Sequence, residues 1–181
     1  MAASSSLGYI IVDGVEGQIR GASLVVDLRG IPMDFRYTDP IRPSRLERVL
    51  YGSALDTYLR EELVLQSLLG AVEVKPQLWL CNDLDLVAPL KETGKVRAAF
   101  VAASSHAPLE AVGNIEPANE PNAILLQADA VSAPLRVAFP PASRPDEAQQ
   151  AAGLLVEASK TMELLEPFTR IQKALLSLGE E

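Results

Sequence analysis

The feature that most constrains this chain is a run of three β-rich segments within its first forty residues. The first covers residues 8–13 and the second residues 19–28. Residues 27–30 between the second and third segments have the composition of a hairpin turn. Residues 33–38 alternate apolar and polar side chains, and this period of two indicates a strand with one solvent-facing side. The sequence therefore predicts an antiparallel three-stranded meander.

Helices and further strands are predicted after the meander. A continuous apolar run at residues 77–81 is typical of a central strand that is buried on both faces. The remaining predicted elements are helices over about 44–50, 53–69, 143–165 and 168–178, and strands over about 95–103, 123–127 and 135–139. The predicted fold class is therefore α+β, with the meander and the later strands in one mixed sheet and with helices at the C-terminal end.

Length and composition fit a single folded domain. The chain has 181 residues, of which 48% are apolar and 22% are charged, the usual balance of a globular protein. We expect a flexible tail over residues 1–7, a core domain over 8–139, and a helical segment over 140–181 that packs on the core or on a partner. The sequence has one cysteine, Cys81, no basic leader and no apolar run of membrane-spanning length, which predicts a cytoplasmic protein.

The charge is strongly acidic overall but unevenly distributed. The formal net charge is −8, and all of that excess lies after residue 60, because residues 1–60 hold seven basic and seven acidic side chains. An acidic protein of this kind is not a general nucleic-acid binder, so any contact with nucleic acid is expected through the N-terminal third. Arg36, Arg42 and Arg45 are the candidates for phosphate binding there. The alternative is that they form a solvated surface with local salt bridges.

The motifs of several enzyme classes are absent from the sequence. There is no glycine-rich loop followed by Lys and Ser/Thr, and no Gly-x-Ser-x-Gly turn. One histidine and one cysteine do not make a zinc site of the usual kind. The histidine, His106, lies in a polar loop and is interpreted as an ordinary surface residue.

Three carboxylates nevertheless stand at informative positions. Asp13 ends the first strand, and Asp83 follows the central strand, where ligand crevices of α/β sheets often lie. Glu62 belongs to the helix predicted over 53–69. At about 100° per residue, Glu62 falls in the middle of the apolar arc of that helix. The arc is formed by Leu55, Tyr58, Leu59, Leu65 and Leu69.

The predicted burial of Glu62 has three explanations. An ionised carboxylate is costly in a core unless it is paired or coordinates a metal ion. Glu62 therefore either pairs with a buried arginine such as Arg36, or is exposed by a rotation of the helix, or meets Asp13 and Asp83 at one site. In the last case Mg²⁺ or Mn²⁺ relieves the repulsion among the three carboxylates.

The order of these elements resembles the ribonuclease-H-like superfamily over about residues 8–103. The segments that carry the resemblance are Val12-Asp13-Gly14, Arg60-Glu61-Glu62-Leu63 and Leu80-Cys81-Asn82-Asp83-Leu84. The resemblance implies that Asp13, Glu62 and Asp83 are catalytic and hold Mg or Mn. It also places His106 where some members carry a loop histidine.

Two functions follow from these observations. The first is a non-catalytic or degenerate ribonuclease-H-like interaction subunit of a larger cytoplasmic assembly. Its partner, or a second copy, docks on the C-terminal helices through an apolar stripe of Phe168, Ile171, Leu175 and Leu178. The alternative for that stripe is packing on the chain's own sheet. The second function is a Mg- or Mn-dependent nuclease that hydrolyses phosphodiesters with Asp13, Glu62 and Asp83.

Overall fold

One eight-stranded mixed sheet organises this protein, whose computed structural model describes residues 5–179. Its strands are β1 (Ser6–Val15), β2 (Gln18–Asp27), β3 (Pro32–Tyr37), β4 (Leu78–Cys81), β5 (Ala98–Ala102), β6 (Ile115–Pro117), β7 (Ala123–Leu126) and β8 (Leu135–Ala138). They lie in the order β3-β2-β1-β4-β5-β8-β7-β6. The predicted α+β class with one mixed sheet is confirmed, and the first five strands form a ribonuclease-H-like core.

Helices cover both faces of the sheet. They are α1 (Arg45–Tyr51), α2 (Leu55–Thr57), α3 (Gln66–Ala71), α4 (Val87–Gly94), α5 (Pro145–Ser159) and α6 (Glu166–Leu178). A π-helical segment (Tyr58–Leu65) joins α2 to α3, and we call residues 55–71 the long helix. Within residues 5–179, none of the helices is both long enough and apolar enough to cross a membrane.

The meander forms as predicted, with small differences at its ends. β1 pairs with β2 and β2 with β3, both antiparallel. Glu16 and Gly17 have φ angles of 52° and 77°, so they make the two-residue turn between β1 and β2. β1 begins at Ser6, two residues before the predicted start, because Leu7 is fully buried. Of the predicted tail, residues 1–4 lie outside the described part of the chain.

The parallel strand β4 connects the meander to the rest of the sheet. It lies between β1 and β5 and is parallel to both, with Ile10 opposite Cys81 and Cys81 opposite Phe100. All four residues of β4 are buried, as expected for a central strand. β8 then pairs antiparallel with β5, and β7 and β6 extend the sheet.

Two apolar cores lie on opposite faces of the sheet. The α6 face is covered by α5 and α6, and there Tyr9 donates a 2.7 Å hydrogen bond to the Leu164 carbonyl. The ring of Tyr9 also meets Phe168 edge-on, with centroids 5.0 Å apart. The long-helix face is covered by the long helix and α4, and it buries Trp79 and Leu65.

The C-terminal helices pack on this chain's own sheet. Phe168, Ile171 and Leu175 are 7%, 0% and 3% exposed within the core of the α6 face, and Leu178 is half-buried. In the structure, this stripe therefore packs on the chain's own sheet. Docking of a protein partner or a second copy through the same helices stays a prediction.

Some helix boundaries and two whole elements differ from the sequence-based expectations. The helix predicted to reach about residue 165 ends at Ser159, whose hydroxyl donates to the Ala128 carbonyl at 2.6 Å. Pro167 lies in the first turn of α6, where a missing N–H costs nothing, so it begins a helix. Neither α4 nor β6 was predicted. All three residues of β6 are exposed, so it shows no apolar period and is formed by pairing with β7.

The contact of the long helix with β2 depends on Gly21. A Cβ atom at this position would lie 2.5 Å from Val64 Cγ1 and 2.9 Å from the Ile11 carbonyl oxygen. We expect Gly21→Ala to lower the free energy of unfolding by about 1–3 kcal/mol, because the helix must move away from the sheet. Urea denaturation followed by circular dichroism measures this change.

Gly153, in the interior of α5, is the matched control. A Cβ atom there meets nothing within 4 Å. Gly153→Ala should therefore raise stability by about 0.5–1 kcal/mol through helix propensity. Equal effects of the two substitutions would contradict the described packing of the long helix on β2.

Candidate functional site

The parallel strands β1, β4 and β5 end at the same edge of the sheet. We call this edge the carboxyl rim, and it comprises residues 11–15, 82–85 and 103–106. Ligands of open α/β sheets bind outside the carboxyl ends of parallel strands. The carboxyl rim is therefore the first place to look for the site that the three carboxylates predict.

Asp83 lies on the rim and is held by its neighbours. Its Oδ2 atom forms an ion pair with the guanidinium of Arg60, which extends from the long helix. Its Oδ1 atom accepts a 3.0 Å hydrogen bond from the backbone N–H of Asp85 and so caps the turn over Leu84–Leu86. Both oxygens of this carboxylate are thus engaged, while 38% of the side chain is exposed.

Asp13 faces the opposite side of the sheet from the long helix. Ile11 belongs to the core of the α6 face and Val12 packs against the other core, so alternation directs Asp13 to the α6 face. Its cross-strand partner is Arg20, whose Nη1 atom donates to the Leu175 carbonyl on α6 at 3.1 Å. The sheet therefore separates the Asp13 side chain from the ion pair of Asp83.

Glu62 is exposed, so the prediction of its burial is wrong. The helical wheel assumed α-helical winding, but Tyr58–Leu65 is π-helical and takes more residues per turn. The buried residues of this segment are Leu59, Val64 and Leu65, and Val64 follows Leu59 by five positions. The extra residue turns Glu62 to solvent and leaves Glu61 half-buried. The cost of burying a charge therefore does not arise at Glu62.

The residues present do not fit the metal centre that the resemblance implies. Within residues 5–179, no three His, Cys, Asp or Glu side chains are grouped so that they would hold a metal ion. Mg²⁺ and Mn²⁺ need several oxygen ligands, whereas Asp83 faces the cation of Arg60 and Asp13 lies across the sheet. The metal-binding and catalytic roles of Asp13, Glu62 and Asp83 stay predictions.

The predicted phosphate-binding arginines fall into two groups. Arg36 forms ion pairs with Asp34 at 2.8 Å and with Glu73 at 3.8 Å, and the Asp34 carboxylate raises the pKa of this guanidinium. The structure therefore gives Arg36 a local partner. Arg42 and Arg45, in contrast, are exposed beside α1. Phosphate binding by these arginines stays a prediction.

A groove next to the rim adds features that the sequence did not reveal. It has an empty volume of about 820 Å³ and is lined by the β1–β2 turn, α1 and α2. Arg48 reaches across it and donates to the Gly17 carbonyl at 3.1 Å. Nearby, the rings of Tyr51 and Tyr58 stack with centroids 4.6 Å apart. The neighbouring Tyr51 phenol raises the pKa of Tyr58.

None of these features left a local signal in the sequence. Tyr51 is the last residue of α1 and Tyr58 the first of the π-helical segment, so the stacking of their rings depends on how two different elements pack. Arg60 lies within a segment that carried the ribonuclease-H-like resemblance, yet its pairing with Asp83 spans 23 positions. Such a contact depends on the packing of the long helix on the sheet and has no local signature.

His106 lies at the far end of the rim, after β5. It is exposed, as predicted, and its Nδ1 atom lies 2.8 Å from the Ala107 carbonyl oxygen. It lines a polar groove together with Ser104, Glu116, Glu120 and Arg136. Within that groove Arg136 already pairs with Glu120 at 2.6 Å. His106 therefore belongs to a surface of mixed charge.

Comparisons with known proteins give matches only at the level of structure. No protein-family model matches the chain, and no curated protein does so by sequence. Endonuclease V from Streptomyces avermitilis superposes with a TM-score of 0.63 at 15% identity, over 97% of this chain and 83% of that one. Endonuclease V from Bacillus subtilis superposes with a TM-score of 0.58 at 12% identity, over 97% of this chain and 82% of that one.

A third similar structure contains bound nucleic acid. Endonuclease V (D234N) from Ciona intestinalis, in complex with a 23mer DNA containing an inosine followed by a ribo-adenosine, has a TM-score of 0.52 and 14% identity. It covers 93% of this chain and 83% of that one. At identities this low, the superpositions establish a shared fold only. This chain therefore has the ribonuclease-H-like fold that these nucleases also have.

The thiol of Cys81 tests the described burial of β4. Burial raises the pKa of this thiol to about 12, and the Asp83 and Ala99 carbonyls accept from its sulfur at 3.4 and 3.7 Å. Because only the thiolate reacts, we expect an aromatic disulfide reagent to modify Cys81 no faster than the chain unfolds. The measurement is the absorbance of the released thiolate with and without urea.

A cysteine at an exposed position provides the control. Val131 is 90% exposed, so the thiol of Val131→Cys should react at once under native conditions. If Cys81 in the wild-type chain reacted at the same rate as that thiol, the described burial of β4 would be incorrect.

Proposed function

We propose that this chain engages nucleic acid at the carboxyl rim as a nuclease of the ribonuclease-H-like type. The observation that carries the proposal is the structural likeness to three endonucleases V, each over at least 93% of this chain. That likeness favours the nuclease over the interaction subunit, since it covers the N-terminal meander, the rim and the C-terminal helices together.

The surface beside the rim has the chemistry that a nucleic-acid strand requires. Arg42 and Arg45 are exposed there, and the first sixty residues are neutral in a chain whose net charge is −8. Arginine binds phosphate through a fixed fork of donors. The stacked rings of Tyr51 and Tyr58 offer an aromatic surface on which an unpaired base can stack.

Catalysis by Asp83 requires that its ion pair with Arg60 first be broken. A bound phosphate offers Arg60 another anionic partner at the rim, so binding of the strand draws the guanidinium from the carboxylate. Asp83 is then free to accept a proton or to orient a water molecule. No step is assigned to a metal ion, since the side chains of the rim do not group around one.

A second candidate function is favoured by that same ion pair. A ribonuclease-H-like protein whose rim acid is permanently neutralised by Arg60, and whose Asp13 faces the other side of the sheet, binds its ligand without cleaving it. Such a protein is a degenerate member of the superfamily, like the interaction subunit considered above, but its ligand is nucleic acid at the rim and not a protein on the C-terminal helices. The two candidates share the fold and the binding surface, and they differ only in turnover.

The first test is cleavage of a defined substrate. We expect the wild-type chain with Mg²⁺ or Mn²⁺ to cut DNA containing an inosine followed by a ribo-adenosine, the nucleic acid bound in the Ciona structure. Asp83→Asn should lower the rate by at least about a hundredfold, because the substitution removes the ionised carboxylate. Product lengths on a denaturing gel measure the rate.

Asp85→Asn is the control for cleavage, since Asp85 is an exposed neighbour on the same turn and should keep full activity. Equal loss in both variants would argue against a specific role of Asp83. Binding without cleavage by the wild-type chain, with or without added metal ions, would support the non-catalytic candidate and overturn the nuclease.

The second test concerns binding alone. Arg42→Glu and Arg45→Glu should each weaken the binding of single-stranded DNA and reduce its dependence on salt concentration by about one phosphate contact. Fluorescence anisotropy at several salt concentrations measures both effects.

Arg29→Glu is the matched control for binding. Arg29 is 70% exposed and also lies in the N-terminal third, but it is held by Asp27 at the opposite end of the meander. The same loss of affinity from Arg29→Glu would show that binding depends on overall charge and not on the surface beside the rim.

A further inference from the structure

We propose that a small organic anion, with a carboxylate or phosphate group on an apolar body, binds in a groove at the end of the sheet opposite the carboxyl rim. The groove lies where the long helix and α4 end, beside the amino ends of β4 and β5. We call it the tryptophan groove, because Trp79 lines it. The inference rests on this groove itself and is independent of any activity at the carboxyl rim.

The indole N–H of Trp79 is a hydrogen-bond donor without a partner. Trp79 is 2% exposed, and within residues 5–179 its Nε1 atom donates to no protein acceptor. In that same range Ser23 Oγ is the one side-chain polar atom that is both unpaired and sealed from solvent. The N–H of Trp79 therefore keeps an opening, which the tryptophan groove supplies. Because buried indoles usually find a hydrogen-bond partner, this donor is available to a ligand.

The neighbours of the indole ring direct its N–H toward the groove. Gly8 on β1 lies against the six-membered ring, since a Cβ atom at Gly8 would lie 2.5 Å from Trp79 Cε3. Gly94, the last residue of α4, lies against the other edge and also lines the groove. A Cβ atom at Gly94 would lie 3.4 Å from Cδ1 and 3.5 Å from Nε1 of Trp79. Glycine at this position thus keeps the N–H accessible from the groove.

Two lysines give the tryptophan groove a positive charge. Lys75 and Lys95 line it and are exposed, and neither forms an ion pair with any carboxylate of the described residues. Among the described residues that line the groove, none is acidic. The carboxyl-terminal ends of the long helix and of α4 contribute about half a negative charge each, so two full positive charges outweigh them. In a chain whose net charge is −8, the groove is therefore a local region that attracts anions.

The remaining lining defines the class of ligand. Leu69, Val72 and Val96 are half-buried in the groove and offer apolar surface beside the donors. Lysine ammonium groups and an indole N–H suit the oxygens of a carboxylate or a phosphate, because hydrogen bonds between charged partners are the strong ones. The empty volume of about 870 Å³ is in the range of small-molecule sites. A ligand with one anionic group and an apolar body uses both parts of this lining.

Tryptophan fluorescence tests binding directly, because Trp79 is the one tryptophan of the chain. We expect phenyl phosphate and phenylacetate to change the emission of the wild-type chain with saturation, and the tighter of the two identifies the anionic group. Phenylacetamide has a similar apolar body without the charge and should leave the emission unchanged. Equal affinity for phenylacetamide, or no saturable change with either anion at millimolar concentration, overturns the proposal.

Substitution of the lysines tests the source of the charge. Lys75→Gln and Lys95→Gln should each raise the Kd of the anion by about tenfold, the loss of one hydrogen bond to a charged acceptor. Lys160→Gln is the matched control, since it removes the same charge at the end of α5, where Lys160 pairs with Glu157 at 3.0 Å. It should leave the Kd unchanged. An equal rise in Kd from Lys160→Gln would show that binding depends on net charge, and that result overturns the assigned site.

Gly94→Ala tests the indole N–H while keeping Trp79 as the reporter. The added methyl group meets the ring at ordinary contact distances, so the chain should fold, but it crowds Nε1. We expect the Kd of the anion to rise by about tenfold through loss of the hydrogen bond from the indole. Gly153→Ala, whose Cβ atom meets nothing within 4 Å, should bind as the wild-type chain does. Unchanged binding by Gly94→Ala, with folding verified by circular dichroism, overturns the role of the indole N–H.

Discussion

The parallel pairing of β4 with β1 holds the two parts of this molecule together. β1 belongs to a meander built from local turns, whereas β4 arrives after three helical segments and must pair across about seventy positions. The pairing is stabilised from both faces, because residues 7–10 and 78–81 are all buried, alternately under α6 and under the long helix. It also fixes the carboxyl rim, since the positions of Asp13 and Asp83 both follow from where these strands end.

Seven of the eight strands and the fold class could be predicted from the sequence, because hydrophobic period and turn chemistry are local. The arrangement of the acids was not, for two physical reasons. A wheel drawn at 100° per residue fails over Tyr58–Leu65, where π-helical winding spaces the buried Leu59 and Val64 five apart and exposes Glu62. Alternation along β1 does place Asp13 with Ile11, but only the packing shows that this face belongs to α6. Local patterns thus predicted which elements carry the acids and not which of the acids face one another.

Because Arg60 pairs with Asp83, any other ion that binds at the rim has to compete with one member of this ion pair. Asp83 is stabilised by a cation from the long helix, so a divalent ion has to compete with a guanidinium that is tethered beside the carboxylate. A tethered partner has a high local concentration, and a free ion does not displace it at low concentration. Under the proposed function, the phosphates of nucleic acid compete with Asp83 for Arg60. Binding of the strand and exposure of the rim acid would thereby be coupled.

The uneven charge of the chain determines where on its surface a nucleic-acid strand would be attracted. The acidic excess lies after residue 60, whereas the surface around α1 carries Arg42, Arg45 and Arg48. Under the proposed function, a nucleic-acid strand is repelled from most of the molecule and attracted only where these arginines lie next to the rim. Attraction from one small region gives weak binding, which salt screens readily within a Debye length of about 10 Å.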